Sequence, residues 1–287
     1  MENINGLKII KNTDGQEMLF INSNRLTDCI EYLYSNDLHY IVINSFQDYF
    51  ANDIDFLLQL KDHIEGLSIL DDKFNLNVVN QLHNLKYLGF PDNGKDIIDL
   101  SNFPKLEVAG ITLSPRLKGL ELCENLRSLT ISKYKSRDLS TLPSLLRLEH
   151  LSLIKPDILT IKGIEQFNFL KKIEIYGATK LEKIEMMTNL SFSIEEVQIE
   201  KCSQIKDYGS FDRMKQLKKL IILDSGQLES LSFVKNLPQL QFLSFYGTNV
   251  LDGKIEYCIG INYVGFDNKR HYTMKQEQFK NSQLMLN

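Results

Sequence analysis

A six-residue pattern returns along most of the chain at nearly constant spacing. An apolar residue, numbered here as position 0, is followed by others at +3 and +5, as in LQFLSF at Leu240. Copies begin at Leu85, Leu126, Leu148, Leu170, Ile194, Leu217, Leu240 and Ile261, with weaker ones at Leu38, Ile64 and Leu106. Successive copies lie 20 to 26 residues apart. Repetition at such a period indicates a solenoid, because one turn alone cannot bury its apolar face.

Each repeat has a second half with its own apolar positions. Apolar residues return six and three positions before each position 0, as Leu100 and Phe103 do before Leu106. A short strand that points positions 0, +3 and +5 inward, followed by a looser segment with two more inward residues, would fill a flattened coil. The pattern therefore predicts one strand and one irregular return segment per repeat.

These motifs resemble the leucine-rich repeat family, and are closest to the short bacterial type found in internalin-like proteins. The resemblance covers roughly residues 37–267. It implies an α/β leucine-rich repeat solenoid that is curved, with a parallel concave sheet of about 11 strands, one for each copy of the motif. The convex side is expected to be irregular or 3-10 helical. The motif is specific for this fold and hardly specific for function.

The two ends are expected to be capped, because an open sheet edge invites further pairing. Residues 1–36 are predicted to form a hairpin over about 7–22 and a helix over about 25–34, with Ser23 or Asn24 as its N-cap. Residues 37–267 form the predicted solenoid. Residues 268–287 are predicted to be a C-terminal cap helix or tail, opened by a Thr273-x-x-Gln276 capping box with Phe279 on its apolar side.

The four cysteines occupy packing positions of the repeat. Cys123 and Cys258 fall at −3, Cys202 falls at +8, and Cys29 lies on the apolar face of the predicted first helix. Buried, unpaired cysteines are expected, and they favour a cytoplasmic location. The start of the chain lacks the basic and apolar regions of a secretory signal, which also favours a cytoplasmic location. Richness in Asn, Lys and Ile suggests a bacterial source.

Position +8 usually holds a side chain that hydrogen-bonds the backbone of the turn, often asparagine. Here Asn93 is the one asparagine at that position, while Tyr134 and Pro156 occupy it in other repeats. We expect the ladder of such bonds to be interrupted.

Composition and motifs narrow the function classes. The formal net charge of −4 disfavours a nucleic-acid partner, and no apolar run approaches the length of a membrane helix. The five histidines show no metal-binding or catalytic spacing, and no nucleotide-binding or nucleophile motif occurs. The sequence thus predicts no enzyme activity, no catalytic residue, no cofactor and no metal ligand.

The face opposite the core is the predicted binding surface. Positions +2, +4 and +6 should be exposed there from Tyr87 to Tyr246. The residues predicted to contact a protein partner are Tyr87, His150, Lys172, Tyr176, Glu196, Glu200, Lys219, Phe242, Tyr246 and Tyr263. Tyr176, Phe242 and Tyr246 are the predicted anchors, because large aromatic residues there have no core to fill. Lys172 and Glu196 are the predicted specificity elements.

Charged residues cluster on three consecutive strands of this face. The first strand carries Lys171, Lys172 and Glu174, the second carries Glu195, Glu196 and Glu200, and the third carries Lys218 and Lys219. Two interpretations stay open: a solvated ladder of cross-strand ion pairs, or a charged determinant of partner choice.

The functional hypothesis is a non-enzymatic module that holds a protein on its concave face. Compact bacterial leucine-rich repeat proteins suggest an immunity protein that sequesters a toxin. The alternatives are a regulatory subunit of an enzyme, or a secreted effector or adhesion-type protein acting on host proteins.

Overall fold

The computed structural model describes residues 2–4, 6–12, 15–184 and 193–278. The chain divides into two compact units, Met1–Leu129 and Thr130–Asn287. Residues of the predicted C-terminal cap beyond 278, including Phe279, lie outside the described residues. In the described part of the chain, no helix has the length and apolar character needed to span a bilayer.

The first unit begins with a hairpin and continues as parallel strands. Its strands and α-helix are β1 (Glu2–Ile4), β2 (Leu7–Lys11), β3 (Glu17–Phe20), α1 (Leu26–Ser35), β4 (Tyr40–Ile43), β5 (Gly66–Ile69), β6 (Tyr87–Gly89), β7 (Ile98–Asp99), β8 (Val108–Thr112) and β9 (Leu117–Lys118). Short 3-10 helices cover Ser23–Arg25, Asp55–Leu60, Asn77–Gln81, Leu100–Asn102 and Leu120–Leu122. Strands β1 to β3 pair antiparallel, whereas β3, β4, β5, β6 and β8 pair parallel in that order. The short strands β7 and β9 pair with each other on the return segments.

The second unit is built from parallel strands and 3-10 segments. Its strands are β10 (Ser128–Ser132, which starts in the last two residues of the first unit), β11 (His150–Ile154), β12 (Lys172–Tyr176), β13 (Glu196–Glu200), β14 (Lys219–Leu223), β15 (Gln227–Leu228), β16 (Phe242–Ser244), β17 (Asn249–Val250) and β18 (Tyr263–Gly265). The 3-10 helices are Ile164–Gln166, Gly209–Arg213, Ser232–Asn236 and Ile255–Cys258. Strands β11, β12, β13, β14, β16 and β18 pair parallel in that order, and β15 pairs with β17.

Every copy of the sequence motif carries one parallel strand, so the leucine-rich repeat solenoid is confirmed. Equivalent positions lie side by side, as Ile173, Val197 and Leu220 do at +3. In β12, β13 and β14 buried and half-buried residues alternate, with positions +3 and +5 buried. Stacking these inward residues buries apolar surface, and each Å² removed from water stabilises the fold by about 25 cal/mol. This burial is the main stabilising contribution in a solenoid.

The opposite face is less uniformly open than the sequence predicts. Ser152 and Ser244, expected to be exposed at +4, are 5% and 7% exposed. Their side chains are short, so larger neighbours on the same face shield them from solvent. In the first unit, Met18, Phe20 and Tyr40 belong to a second apolar cluster on this face. The Tyr40 ring lies over Gly66, where a Cβ would collide with it.

Position +7 of the second unit adopts left-handed backbone in six successive repeats. These residues are Lys133, Lys155, Gly177, Lys201, Asp224 and Gly247, with φ between 49° and 67°. The first five donate their N–H to the +6 carbonyl of the next strand at 2.7–3.0 Å. The left-handed residue then reverses the chain, so that the following +8 residue is buried. Four of the six are not glycine, and left-handed backbone costs each of these four about 1–2 kcal/mol of conformational energy.

Buried side chains at +8 form a short hydrogen-bonded ladder. Cys202 donates its N–H to Ser225 Oγ at 3.1 Å, and Ser225 donates its N–H to Thr248 Oγ1 at 3.0 Å. The hydroxyls in turn donate to strand carbonyls, Ser225 to Leu223 at 2.6 Å and Thr248 to Ile222 at 2.9 Å. The ladder of hydrogen bonds at +8 is therefore continuous over these three repeats, because the hydroxyl groups of Ser225 and Thr248 replace the asparagine side chain.

The four cysteines are buried and unpaired, as expected from the repeat positions of three of them and from the apolar helix face that carries Cys29. Desolvation raises the pKa of Cys123 and Cys202 to about 11 and that of Cys258 to about 12. These thiols are therefore protonated at neutral pH and act as small apolar groups.

Both predicted caps differ from expectation in their hydrogen bonds. Asn22, not Ser23 or Asn24, caps the first helical turn, by accepting from the Asn24 N–H at 3.0 Å. The predicted capping box at Thr273 is wrong, because the Gln276 N–H donates to Asn268 Oδ1 and not to the Thr273 side chain. Gln276 instead donates Nε2–H to the Val264 carbonyl at 3.2 Å, and its Oε1 accepts from the Phe266 N–H at 3.1 Å. One side-chain amide thus takes the place of a next strand along β18 and covers part of the open sheet edge.

The +8 ladder generates a stability prediction. Replacing Ser225, which is fully buried, by Ala leaves the Cys202 N–H buried without its acceptor. We expect Ser225→Ala to lower the free energy of unfolding by about 1–3 kcal/mol in urea titrations. The matched control is Ser230→Ala, because Ser230 Oγ accepts from the Ser232 N–H in an exposed turn where water can replace it. Equal losses in the two variants would contradict the role of the ladder.

Candidate functional site

Nine of the ten residues predicted to contact a partner lie in the second unit, on the sheet face opposite its core. We call this surface the open face: positions +2, +4 and +6 of β11, β12, β13, β14, β16 and β18, with the turn residues that follow the strands. Tyr246 and Tyr263 are the most exposed of the predicted residues, at 39% and 41%. The other seven, His150, Lys172, Tyr176, Glu196, Glu200, Lys219 and Phe242, are half-buried.

The tenth residue, Tyr87, lies in the first unit. Its ring packs against Tyr40, with centroids 6.5 Å apart, at the edge of the second apolar cluster. Within that unit Tyr87 is half-buried and contributes to packing, in addition to any role in binding.

Glu174 is the centre of a polar cluster on the open face. Its carboxylate accepts from His150 Nε2 at 2.9 Å and from Lys172 Nζ at 2.7 Å. Burial by itself would raise the pKa of Glu174, but these two partners outweigh it and lower the pKa to about 2. Burial, followed by the adjacent Glu174 charge, raises the pKa of Tyr176 to about 12. From the sequence, Glu174 belongs to the charged cluster but not to the predicted site residues, because spacing along one strand does not show which side chains converge.

The charged rows are largely paired with one another. Cross-strand ion pairs join Lys171 to Glu149 and Lys218 to Glu195, each at 2.8 Å, and Lys219 to Glu196 at 3.7 Å. Lys172 and Glu196 are register partners, yet the ion pair of Lys172 is with Glu174 on its own strand. The geometry favours the cross-strand ladder over an unpaired charged determinant, and exposed pairs of this kind contribute about 0–1 kcal/mol each.

An aromatic group occupies the open face on the last two strands. Phe242 and Tyr263 are register partners, and their rings stack with centroids 4.4 Å apart and planes inclined by 12°. Lys219 Nζ lies 5.7 Å from the Phe242 ring centroid, so the charged rows and the aromatic group are contiguous. Tyr246 and Tyr263 both reach over Gly265, where a Cβ would come within 2.8 Å of either side chain.

Apolar side chains extend this aromatic group along β14. Ile221 and Leu223 point to the open face at +4 and +6 and are half-buried. Together with Phe242, Tyr246 and Tyr263 they form what we call the aromatic patch. The three aromatic residues are predictable from the sequence, because they are large side chains at positions +2 and +6. The contribution of Ile221 and Leu223 becomes visible once the strands are in register.

The remaining histidines have structural partners. His39, His63 and His83 bond backbone carbonyls at 2.8, 3.1 and 3.0 Å, and His271 bonds the Val250 carbonyl at 2.8 Å. Among the described residues, no group of three His, Cys, Asp or Glu side chains is arranged to hold a metal ion.

No protein-family model and no curated protein matches this chain. Among solved structures, it is similar to an internalin, InlF, from Listeria monocytogenes, with 17% identity, a TM-score of 0.46 and coverage of 88% of this chain and 87% of that one. It is also similar to the functional domain of InlJ from the same organism, with 15% identity, a TM-score of 0.39 and coverage of 80% and 62%. A leucine-rich repeat protein from Leptospira interrogans shares 15% identity, with a TM-score of 0.35 and coverage of 74% and 60%.

The lowered pKa of Glu174 predicts a pH-dependent loss of stability. Because the folded pKa of about 2 lies below the ordinary value near 4.5, the ionised carboxylate stabilises the fold fully above about pH 4.5. That contribution declines as the pH falls from 4.5 toward 2. Glu174→Gln should lower the unfolding free energy at pH 7 by about 3 kcal/mol, because the folded pKa lies about 2.5 below the ordinary value and each pKa unit corresponds to about 1.4 kcal/mol. The difference in unfolding free energy between the variant and the wild type should be smaller at pH 3.5 than at pH 7.

Urea titrations followed by circular dichroism at both pH values measure this gap. Glu195→Gln serves as the control, because its pair with Lys218 is exposed and should contribute less than about 1 kcal/mol. A gap for Glu174→Gln that is the same at pH 7 and pH 3.5 would show that the carboxylate does not stabilise the fold through its charge.

Proposed function

We propose that the protein is a non-enzymatic binding module that holds a protein partner on the open face of its second unit. The observation that carries this proposal is the aromatic patch, with Tyr246 and Tyr263 about 40% exposed on a sheet face whose Lys and Glu side chains largely pair with one another. Tyrosine offers a large apolar surface and a polar tip, and such residues are enriched at the centres of interfaces.

The surroundings of the patch support the same proposal. Ser244 and Gly265 are buried, and the rings of Tyr246 and Tyr263 reach over Gly265, so the outer faces of these rings form the surface offered to a partner. The Lys–Glu pairs on β12 to β14 lie at one side of the patch, in the position of a polar rim. A rim of this kind contributes little affinity of its own but excludes water from the anchors.

Of the predicted anchors, Phe242 and Tyr246 belong to the patch, and Tyr176 lies beside the Glu174 cluster. Tyr176 has its hydroxyl engaged by Glu174, so we assign it a smaller part. Lys172 is held by Glu174 and Glu196 by Lys219, and both stay proposed specificity elements at the rim.

A bacterial toxin is the partner class that we favour, which would make the protein an immunity protein. Regulation of an enzyme and action on host proteins are the alternatives. A cytoplasmic location is part of the proposal and is supported by the four buried, unpaired thiols, because disulfides are typical of oxidising compartments. A toxin gene beside the gene for this chain would favour the immunity role.

Substitution of the patch tests the binding face. The partner is captured with the wild-type protein from the source organism, identified by mass spectrometry and purified for calorimetric titration. We expect the double variant Tyr246→Ala, Tyr263→Ala to bind it at least about 2 kcal/mol more weakly, because both side chains are proposed as buried anchors in the complex. Thermal unfolding should change little, since both residues are exposed in the free protein.

Phe169→Ala is the matched control. Phe169 is 61% exposed in the same unit but lies in the turn before β12, away from the open face. Affinity that stays the same in the double variant, or that falls equally in the control, would refute the proposed face.

A further inference from the structure

We propose that the first unit carries a second protein-binding surface, formed by residues 44–50, which we call the phenylalanine loop. The loop follows β4 and presents aromatic side chains that fit an apolar pocket with a basic rim on a partner protein. This surface belongs to the first unit, whereas the open face belongs to the second. The inference therefore goes beyond the proposed function and does not rest on it.

Two large apolar side chains of this loop stand in solvent. Phe46 is 89% exposed, the highest fraction of any large hydrophobic residue that the structure describes, and Phe50 is 63% exposed. Leu70, directly after β5, is 55% exposed. It belongs to the turn that holds the loop, because Ser45 donates its N–H to Asp71 Oδ2 at 2.7 Å. Side chains this exposed bury little surface, so the packing of the free protein does not account for them.

The position of Phe46 in the repeat makes its exposure unusual. It stands at +8 of the first repeat, where Tyr134 is 3% exposed and Cys202 is fully buried in their own repeats. The turn around Phe46 differs from theirs, because the Phe46 N–H donates to Asn44 Oδ1 at 2.9 Å and the Asn44 carbonyl accepts from the Gln47 N–H at 3.0 Å. An apolar residue at a position that is buried elsewhere is therefore displayed to solvent.

Tyr49 anchors the loop from inside. It lies between the two exposed phenylalanines in the chain but is only 2% exposed. Its ring packs against Phe56 and Phe74, with centroids 5.9 and 5.5 Å away. Its hydroxyl donates to the Asp53 carbonyl at 2.6 Å. The loop is thus tied to the core by one aromatic residue while its other two face outward.

Hydrogen bonds to the first cap also fix the loop backbone. Phe50 donates its N–H to Ser23 Oγ at 2.9 Å, and the Asp48 carbonyl accepts from the Ser23 N–H at 3.0 Å. A loop held in this way presents its exposed side chains from a fixed backbone. Binding then orders few further groups, so less conformational entropy is lost when a partner docks.

Charge indicates the kind of partner. The first unit contains 19 Asp and Glu against 11 Lys and Arg, whereas the second contains 18 against 22, so the acidic excess belongs to the unit with the loop. Asp48 of the loop pairs with Lys8 at 2.6 Å. Asp53, Asp55 and Asp72 flank the loop, are exposed, and form no ion pair within the described part of the chain. These surroundings favour a protein with Arg or Lys around its apolar pocket and disfavour an anionic lipid surface.

A peptide selection tests this inference without knowledge of the partner. The probe is a phage-displayed library of random peptides, and the bait is the full chain with Tyr246→Ala and Tyr263→Ala, so that peptides for the open face are not retained. We expect enriched peptides to combine apolar residues with Arg or Lys. The further substitutions Phe46→Ser and Phe50→Ser should weaken their binding at least about tenfold. Raising NaCl from about 0.05 to about 0.5 M should weaken it at least about threefold.

Phe169→Ser is the matched control, because Phe169 is 61% exposed, close to the value for Phe50, but belongs to the second unit. It should leave peptide affinity unchanged. Thermal unfolding of the Phe46→Ser, Phe50→Ser variant should differ little from that of the parent chain, since both side chains are exposed in the free protein. A loss of affinity with an unchanged unfolding temperature therefore reports on the loop itself.

The remaining outcomes identify other occupants or none. Equal peptide affinity with and without the two phenylalanines, or no enriched peptide, would overturn the inference. Self-association in sedimentation equilibrium that the Phe46→Ser, Phe50→Ser variant loses would assign the loop to a second copy of this chain. Co-sedimentation with phosphatidylglycerol and phosphatidylcholine vesicles that the same variant loses would assign it to a lipid surface. Each of these results would refute the protein partner of the loop and leave the proposed open face untouched, because that face is tested by Tyr246 and Tyr263.

Discussion

The burial of positions 0, +3 and +5 between neighbouring turns is the interaction on which the rest of the structure depends. No turn has enough inward surface to fold alone, so each strand is held in register by the repeats on either side, as Ile173 is by Leu151 and Val197. This register places equivalent outward residues side by side at each strand spacing. The open face is therefore a consequence of the core, and its columns of side chains exist because the inward columns must align.

The left-handed residue at +7 links the strand to the rest of each turn in the second unit. It extends the hydrogen bonding of the sheet by one residue and then sends the +8 residue into the core, where Cys202, Ser225 and Thr248 form their ladder. Because the +7 side chains must point away from the core, they form a row beside the open face. The same backbone requirement that terminates each strand thus creates the surface on which Lys201 and Asp224 display their charges.

The open face combines two regions of different chemistry. On β12 to β14 the charged groups satisfy one another, and Glu174 is ionised through hydrogen bonds that stabilise the fold. On β16 and β18 the aromatic residues find neighbours but no complete cover, since Tyr246 and Tyr263 remain about 40% exposed. Paired charges beside uncovered aromatic rings are the arrangement expected of a surface that is completed by another protein.

The sequence by itself determined the repeat, its period, the inward columns, the burial of the cysteines and the aromatic members of the open face. It could do so because a solenoid ties packing to position within a repeat, so that spacing alone predicts which residues lie inside. The tertiary structure decided which polar groups meet. Glu174 accepts from His150 on the neighbouring strand and from Lys172 on its own strand, Gln276 covers part of the edge of β18, and Asp267 accepts from the Gly247 N–H. Side-chain length, rotamer and the left-handed turn decide these contacts, and none of them leaves a periodic signal in the sequence.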